Sequence, residues 1–211
     1  ADFHLEGEAV FVGFGIRTPL WNWDDYKTAD LRGKILLVRV NDPGLYLPQE
    51  FEGGVLTYFG RWTCKVEEAA KAGAAAVLLI HTTPTAGYDW QVVKNSWSGE
   101  EFYLPASLEN DLKFRGWIRE ETLRSLLAGK RIDLERLYRR SLRRDFTPVD
   151  LGFKVRIVGR NRFRTLPTRN VIATIPGSSG RDIVLSAHID HLGRDESLPG
   201  DQIFNGAIDN G

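Results

Sequence analysis

Three residues near the end of the chain have the types and spacing of a metal site. His188 and Asp190 follow the apolar run 182–187, and Asp209 lies in the glycine-flanked segment 206–211. On extended backbone, residues two apart point to the same side, so Asp190 can accept the Nδ1 proton of His188 and leave Nε2 for a metal. An aspartate in a glycine-flanked loop can present both carboxylate oxygens, which suits bridging two metal ions about 3.5–4 Å apart. The spacing therefore predicts ligands of a hydrolytic zinc site.

Each of these residues also has an ordinary structural interpretation. Taken singly, His188 would cap a strand and Asp209 would form an Asx turn. The combination of His-x-Asp at a strand end with Gly-Ala-Ile-Asp-Asn-Gly is dense enough to favour the metal site. We interpret His191 as a non-ligand, His81 as structural, and Cys64 as a packed side chain, because no neighbouring residue would activate its thiol.

Composition argues against several classes of partner. Lys plus Arg and Asp plus Glu number 28 each in 211 residues, so no net field would steer the chain to nucleic acid or to an anionic membrane. Basic residues are concentrated between 139 and 169. Within this region Lys154 and Arg156 alternate with Phe153, Val155 and Ile157, as on the solvent-exposed face of a half-exposed strand. The longest apolar stretch, 74–80, is far shorter than the roughly 20 residues that cross a bilayer. We expect no nucleic-acid partner and no membrane span in this chain.

The first two thirds of the chain have the pattern of a compact α/β domain. Short β-branched runs predict strands, and apolar residues at helical spacing predict helices, one of which connects two strands as a crossover onto a small sheet. A stretch rich in glycine, proline and tryptophan predicts a long ordered loop whose aromatic residues cover the sheet. The predicted elements are strands at 9–16, 33–40 and 75–81, helices at 63–72, 120–128 and 133–142, with Asp133 as N-cap, and the loop at 82–104.

A second core is expected in the last third of the chain. Strands are predicted at 153–157, 170–175 and 182–187, and the last of these is almost entirely apolar, as in the centre of a sheet. The turn residues at 146–149 mark the expected boundary. The predicted domains are therefore 1–148 and 149–211.

At this point the chain resembles the co-catalytic zinc aminopeptidase family, which is related to glutamate carboxypeptidases and transferrin-receptor-like proteins. The resemblance rests on Ala-His-Ile-Asp-His-Leu-Gly at 187–193 and on Gly-Asp-Gln-Ile-Phe-Asn-Gly-Ala-Ile-Asp-Asn-Gly at 200–211. Upstream strings, including Tyr-Phe-Gly-Arg-Trp at 58–62 and Gln-Val-Val-Lys-Asn-Ser-Trp-Ser-Gly at 91–99, resemble the protease-associated insert domain of bacterial-type members. The implied fold is an insert domain, with a small β-sheet or barrel and flanking helices, followed by the first strands of an α/β/α zinc-peptidase sheet.

The resemblance implies a role for each site residue. His188 would bind one zinc ion, Asp190 would orient His188, and Asp209 would bridge two zinc ions. The general base and the remaining ligands have no counterparts among these residues. Because each zinc takes about four ligands, His188 and Asp209 cannot complete a two-zinc site.

The expected activity follows from this ligand set. We expect a truncated exopeptidase, an aminopeptidase that hydrolyses peptide substrates with metal-activated water, and we expect the 211-residue chain to be inactive alone. The resemblance implies a secreted or periplasmic protein. An alternative is a non-catalytic, peptidase-like receptor module that uses the protease-associated domain for recognition; loss of the Glu pair that follows the bridging Asp in the family would favour it.

Overall fold

The structure is a computed structural model that describes residues 2–100, 112–188, 193–194 and 196–203. The chain divides into two compact units, Ala1–Phe163 and Arg164–Gly211. The first unit carries the regular secondary structure of the described residues. Its strands are β1 (Asp2–Phe11), β2 (Arg17–Thr18), β3 (Trp23–Asp24), β4 (Ile35–Arg39), β5 (Ala76–His81), β6 (Phe114–Arg119) and β7 (Val149–Arg160), and its helices are α1 (Trp62–Lys71), α2 (Thr83–Ala86), α3 (Trp90–Trp97), α4 (Glu120–Ala128) and α5 (Leu134–Ser141).

A five-stranded sheet with the order β6-β5-β4-β1-β7 organises the first unit. The strands β1, β4, β5 and β6 are parallel, and β7 pairs with β1 in the antiparallel sense. All five residues of β4 are buried, as expected for a central strand that is covered on both faces. Since four strands run in the same direction, their carboxyl ends meet at one edge of the sheet.

Helices cover both faces of this sheet, so the unit has three layers. On one face, Val66 and Ala69 of α1 pack against a cluster that includes Leu36 and Val38. On the other face, Leu123 of α4 and its neighbours in α5 pack against a cluster that includes Leu37. Successive residues of β4 therefore contribute to opposite cores, which follows from the alternation of side chains along a strand. The fold is mixed α/β, as predicted.

Most of the predicted elements of the first unit are confirmed. The strands predicted at 33–40 and 75–81 are β4 and β5, and the helices α1, α4 and α5 lie within one residue of their predicted bounds. The strand predicted at 9–16 is confirmed only at 9–11, because β1 runs from Asp2 to Phe11 and residues 12–16 are not strand. Asp133 is the N-cap of α5, and its carboxylate accepts a hydrogen bond from the Glu135 amide at 2.9 Å. The prediction of a loop over 82–104 was wrong in part, because this stretch contains α2 and α3. Its aromatic residues do pack: Trp97 lies edge-on to Trp117 of β6 with ring centroids 5.8 Å apart.

The strand predicted at 153–157 is the middle of β7, and it belongs to the same sheet as β1. Its side chains alternate between partly buried and exposed, as the sequence pattern indicates. Two of its basic residues pair with acidic residues of β1: Arg160 with Asp2, directly opposite, at 2.6 Å, and Lys154 with Glu6, diagonally, at 3.6 Å. These exposed pairs contribute little free energy, about 0–1 kcal/mol each.

The prediction of strands at 170–175 and 182–187 is wrong, because the backbone is irregular in both segments. Their apolar side chains are exposed, with Ile175 at 95% and Leu185 at 92%. An apolar strand is stable only when neighbouring strands and a covering layer bury it, and no strand lies beside these segments in the described part of the chain. The expected first strands of a peptidase sheet are therefore not formed here, while the domain division between 148 and 149 stays a prediction.

None of the helices among the described residues combines the length and the apolar character that a membrane crossing requires.

Candidate metal centre

Of the predicted metal-site residues, His188 is the one that the structure describes. Its side chain is exposed at the end of the irregular segment that follows Arg164. Asp190, His191 and Asp209 lie outside the described residues, so the predicted pairing of His188 with Asp190 and the bridging role of Asp209 stay predictions. Within the described ranges, no group of three or more His, Cys, Asp or Glu side chains is arranged to hold a metal ion.

A small closed loop lies between the His-x-Asp motif and the predicted bridging aspartate. Arg194 and Ile203 form an isolated antiparallel bridge, which brings the two ends of the loop together. The Arg194 guanidinium donates to Gln202 Oε1 at 2.8 and 3.2 Å, and Gln202 Nε2 donates to the carbonyls of Glu196 and Leu198 at 3.2 Å each. The loop therefore has its own hydrogen-bond network, which sets the spacing between its two ends.

His81 and Cys64 have structural environments, as the sequence indicated. His81 ends β5, is buried, and donates from Nε2 to the Tyr88 carbonyl at 2.9 Å. Its ring also lies edge-on to Trp90, with centroids 5.4 Å apart. Burial raises the pKa of the Cys64 thiol, which disfavours the reactive thiolate. Neither residue is arranged for catalysis.

Asp25 and Lys65 are ionisable groups that are buried in the first unit. Burial raises the pKa of the Asp25 carboxyl to about 7, although Oδ1 accepts from Trp23 Nε1 at 2.9 Å and Oδ2 from the Ile16 amide at 3.1 Å. Burial also lowers the pKa of the Lys65 ammonium to about 8, and its Nζ donates to the Phe59 carbonyl. Both shifts have the same cause, because a low-dielectric interior disfavours the charged form of either group.

Sequence reasoning missed a buried arginine at the carboxyl end of β4. Arg39 is 4% exposed and lines a cavity of about 290 Å³ at the edge where the parallel strands end. A signal was present, because Arg39 interrupts the otherwise apolar run Ile35–Val40. A charged side chain in such a run is rarely buried without a specific partner.

The residue types and spacing of His188, Asp190 and Asp209 predict the metal ligands of a metal-dependent hydrolase. Comparison with known proteins supports this class: residues 170–211, about a fifth of the chain, match the model of peptidase family M28. The matched segment includes all three predicted site residues, and peptidases of this family are generally zinc-dependent. The match thus supports a metallopeptidase-like function. No curated protein and no solved structure matches the chain.

Proposed function

We propose that this chain forms part of a zinc-dependent aminopeptidase that hydrolyses peptide substrates. The observation that carries the proposal is that the match to peptidase family M28 falls on the segment with His188, Asp190 and Asp209. The donor set fits zinc, which binds imidazole nitrogen and carboxylate oxygen in hydrolytic sites. In addition, the His188 side chain is exposed, so a metal ion can reach its ring.

Each residue has a distinct role in the proposed site. His188 would hold one zinc ion, and Asp190 would accept a hydrogen bond from the imidazole and so fix its tautomer and orientation. Asp209 would be the ligand shared by the two zinc ions. When bound, the zinc ions lower the pKa of a water molecule and polarise the scissile carbonyl. The general base and the other ligands come, in this proposal, from residues outside these 211, so this chain alone lacks peptidase activity.

We further propose that residues 1–148 are a protease-associated insert domain and residues 149–211 the beginning of the catalytic domain. The upstream sequence strings support the insert domain, whereas the pairing of β7 with β1 places Val149–Arg160 in the sheet of the first unit. Limited proteolysis of the full-length protein tests it: cleavage near 148 agrees with the proposal, and cleavage only after 163 would move the boundary to the end of β7. A secreted or periplasmic location is proposed from the resemblance, and cell fractionation tests it.

The test of the activity uses the full-length protein and an aminoacyl p-nitroanilide substrate. A chelator should abolish hydrolysis and added zinc should restore it. Asp190→Asn should lower zinc affinity or activity about 10–100-fold, because it removes the group that orients His188. His191→Ala is the matched control, one residue further along, and should keep nearly full activity.

Two results would count against the proposal. Hydrolysis that survives the chelator would rule out an essential metal. Full-length protein that folds and binds zinc but hydrolyses no peptide substrate would support the alternative of a recognition module.

A further inference from the structure

The cavity beside Arg39 lies where a parallel α/β sheet most often places a ligand. It is lined by residues at the carboxyl ends of two neighbouring strands. Arg39 and Val40 lie at the end of β4, and Ile80 and Thr82 lie at the end of β5. In open α/β sheets, ligands bind in the crevice outside these ends. All of its lining residues belong to the first unit, whereas the residues of the proposed zinc site belong to the second.

The guanidinium of Arg39 lines this cavity with three of its five N–H donors unused. Nη1 donates to Ser141 Oγ at 3.0 Å and to the Tyr138 carbonyl at 3.4 Å. Among the described residues, no hydrogen bond from Nε or Nη2 and no ion pair of Arg39 with a carboxylate is formed. A buried cation without a counterion is costly, and the Nε and Nη2 edge is the fork that binds a carboxylate through two parallel hydrogen bonds.

Aromatic rings surround the same guanidinium. Its central carbon lies 4.3 Å from the ring centroid of Tyr138, 4.4 Å from that of Phe14 and 4.6 Å from that of Tyr46. These rings hold the cation in place by cation–π contact, and Tyr46 and Tyr138 also form apolar walls of the cavity. The volume of about 290 Å³ is at the low end for a ligand pocket, which suits a body about as large as one amino-acid residue.

The acidic residues of the lining do not pair with Arg39. Arg124 Nη2 donates to Glu120 at 2.7 Å and to Glu135 at 2.8 Å. The hydroxyl of Tyr138 also donates to Glu120, at 3.1 Å. A further cation of the lining, Arg139, lies 3.9 Å from Asp133. Among the described residues, Arg39 is therefore the cation of the lining that has no carboxylate within ion-pair distance.

We propose that this cavity binds a small carboxylate with an apolar or aromatic body, such as the C-terminal residue of a peptide. The carboxylate accepts two hydrogen bonds from Nε and Nη2 of Arg39, and the body packs between Tyr46 and Tyr138. The site does not depend on the zinc ions, so its test and that of the peptidase proposal give separate results.

The experiment measures binding to the 211-residue chain by isothermal titration calorimetry. The probes are N-acetylphenylalanine and its amide, which have the same body and differ in the charge of one group. The acid should bind at least about tenfold more tightly than the amide, because only the acid is a charged partner for the fork. Equal binding of the two probes, or no binding of either, would overturn the proposal.

Two variants locate the site. Arg39→Lys keeps the charge but removes the fork, so it should weaken binding of the acid about tenfold or more. Arg32→Lys makes the same change at an exposed arginine outside the cavity, so it is the matched control and should bind nearly as the unchanged chain does. Unchanged affinity in Arg39→Lys would overturn the assignment. If Arg39→Lys does not fold, the comparison of acid with amide still decides.

Inorganic phosphate is the third probe, because an arginine fork also binds phosphate. Phosphate that binds more tightly than the acid, and competes with it, would replace the carboxylate assignment with a phosphate site. Weaker binding of phosphate agrees with the proposal, since the aromatic walls favour a ligand with an apolar body.

Discussion

The turn after β1 provides a sensitive test of the packing around β4. Gly15 has a φ of +59°, and a Cβ atom at this position would lie 2.7 Å from Cγ1 of Val38. Val38 is a fully buried residue of β4, so its methyl groups can shift only by displacing the core side chains around them. Gly15→Ala therefore introduces both backbone strain and a steric clash.

The cost of this substitution is worked out from these two contributions. A left-handed conformation costs a non-glycine residue about 1–2 kcal/mol, and an extra methyl group in a packed core costs about 1–3 kcal/mol. Gly15→Ala should lower the free energy of unfolding by about 2–5 kcal/mol. Gly33→Ala is the control, because Gly33 has a similar φ of +71° with nothing within 4 Å of its Cβ position. It should cost the strain alone, about 1–2 kcal/mol.

Urea unfolding of the 211-residue chain, followed by tryptophan fluorescence, measures both variants. A double-mutant cycle with Val38→Ala isolates the clash, because removing the Val38 methyl groups should make Gly15→Ala cheaper by about 1–3 kcal/mol. If Gly15→Ala costs no more than Gly33→Ala, or if the effects of Gly15→Ala and Val38→Ala simply add, the close approach of this turn to β4 is refuted.

Two further predictions concern the helix layer and the buried charges. Leu123→Ala should lower the free energy of unfolding by about 2–5 kcal/mol, because Leu123 is fully buried. Leu126→Ala, on the same helix, should lower it much less, because Leu126 is 49% exposed. Equal losses in urea unfolding would contradict the orientation of α4. Asp25 keeps its proton up to a pKa of about 7 when folded, so the free energy of unfolding should fall as pH rises from about 4 to about 7, and Asp25→Asn should flatten this fall in a series of urea titrations. Lys65 has the opposite shift, so its own contribution to stability should rise from about pH 8 to about 10.5, and Lys65→Met should remove that contribution; identical profiles of the two chains in this range would contradict the shift.

Local patterns made much of the first unit predictable. The apolar runs of β4 and β5 and the helical spacing of α1 and α4 are properties of short segments, and burial on both sides of the sheet agrees with them. By contrast, β6 was missed because Arg115, Gly116 and Arg119 dilute its apolar character. Residues 2–8 of β1 were missed as well, although Phe3 and Leu5 alternate with polar residues in a period of two.

Features that depend on distant residues were beyond local pattern. The apolar runs at 170–175 and 182–187 predicted strands, but strand formation needs partners that no local pattern supplies, and these segments are irregular. Likewise, the environment of Arg39 is made by Tyr138 and Ser141, which lie about a hundred residues further along the chain. The residue types of the proposed zinc site were assigned from the sequence because His188 and its neighbours form a compact motif. The relative positions of those residues in space stay a prediction.

Metal analysis of the full-length protein tests the central claim most directly. Zinc content per chain is measured for the unchanged protein, for His188→Ala and for the control His191→Ala, each after dialysis against the same zinc buffer. We expect two zinc ions in the unchanged protein and in His191→Ala, and one or none in His188→Ala. Two zinc ions in folded His188→Ala would contradict the assignment of His188 as a ligand.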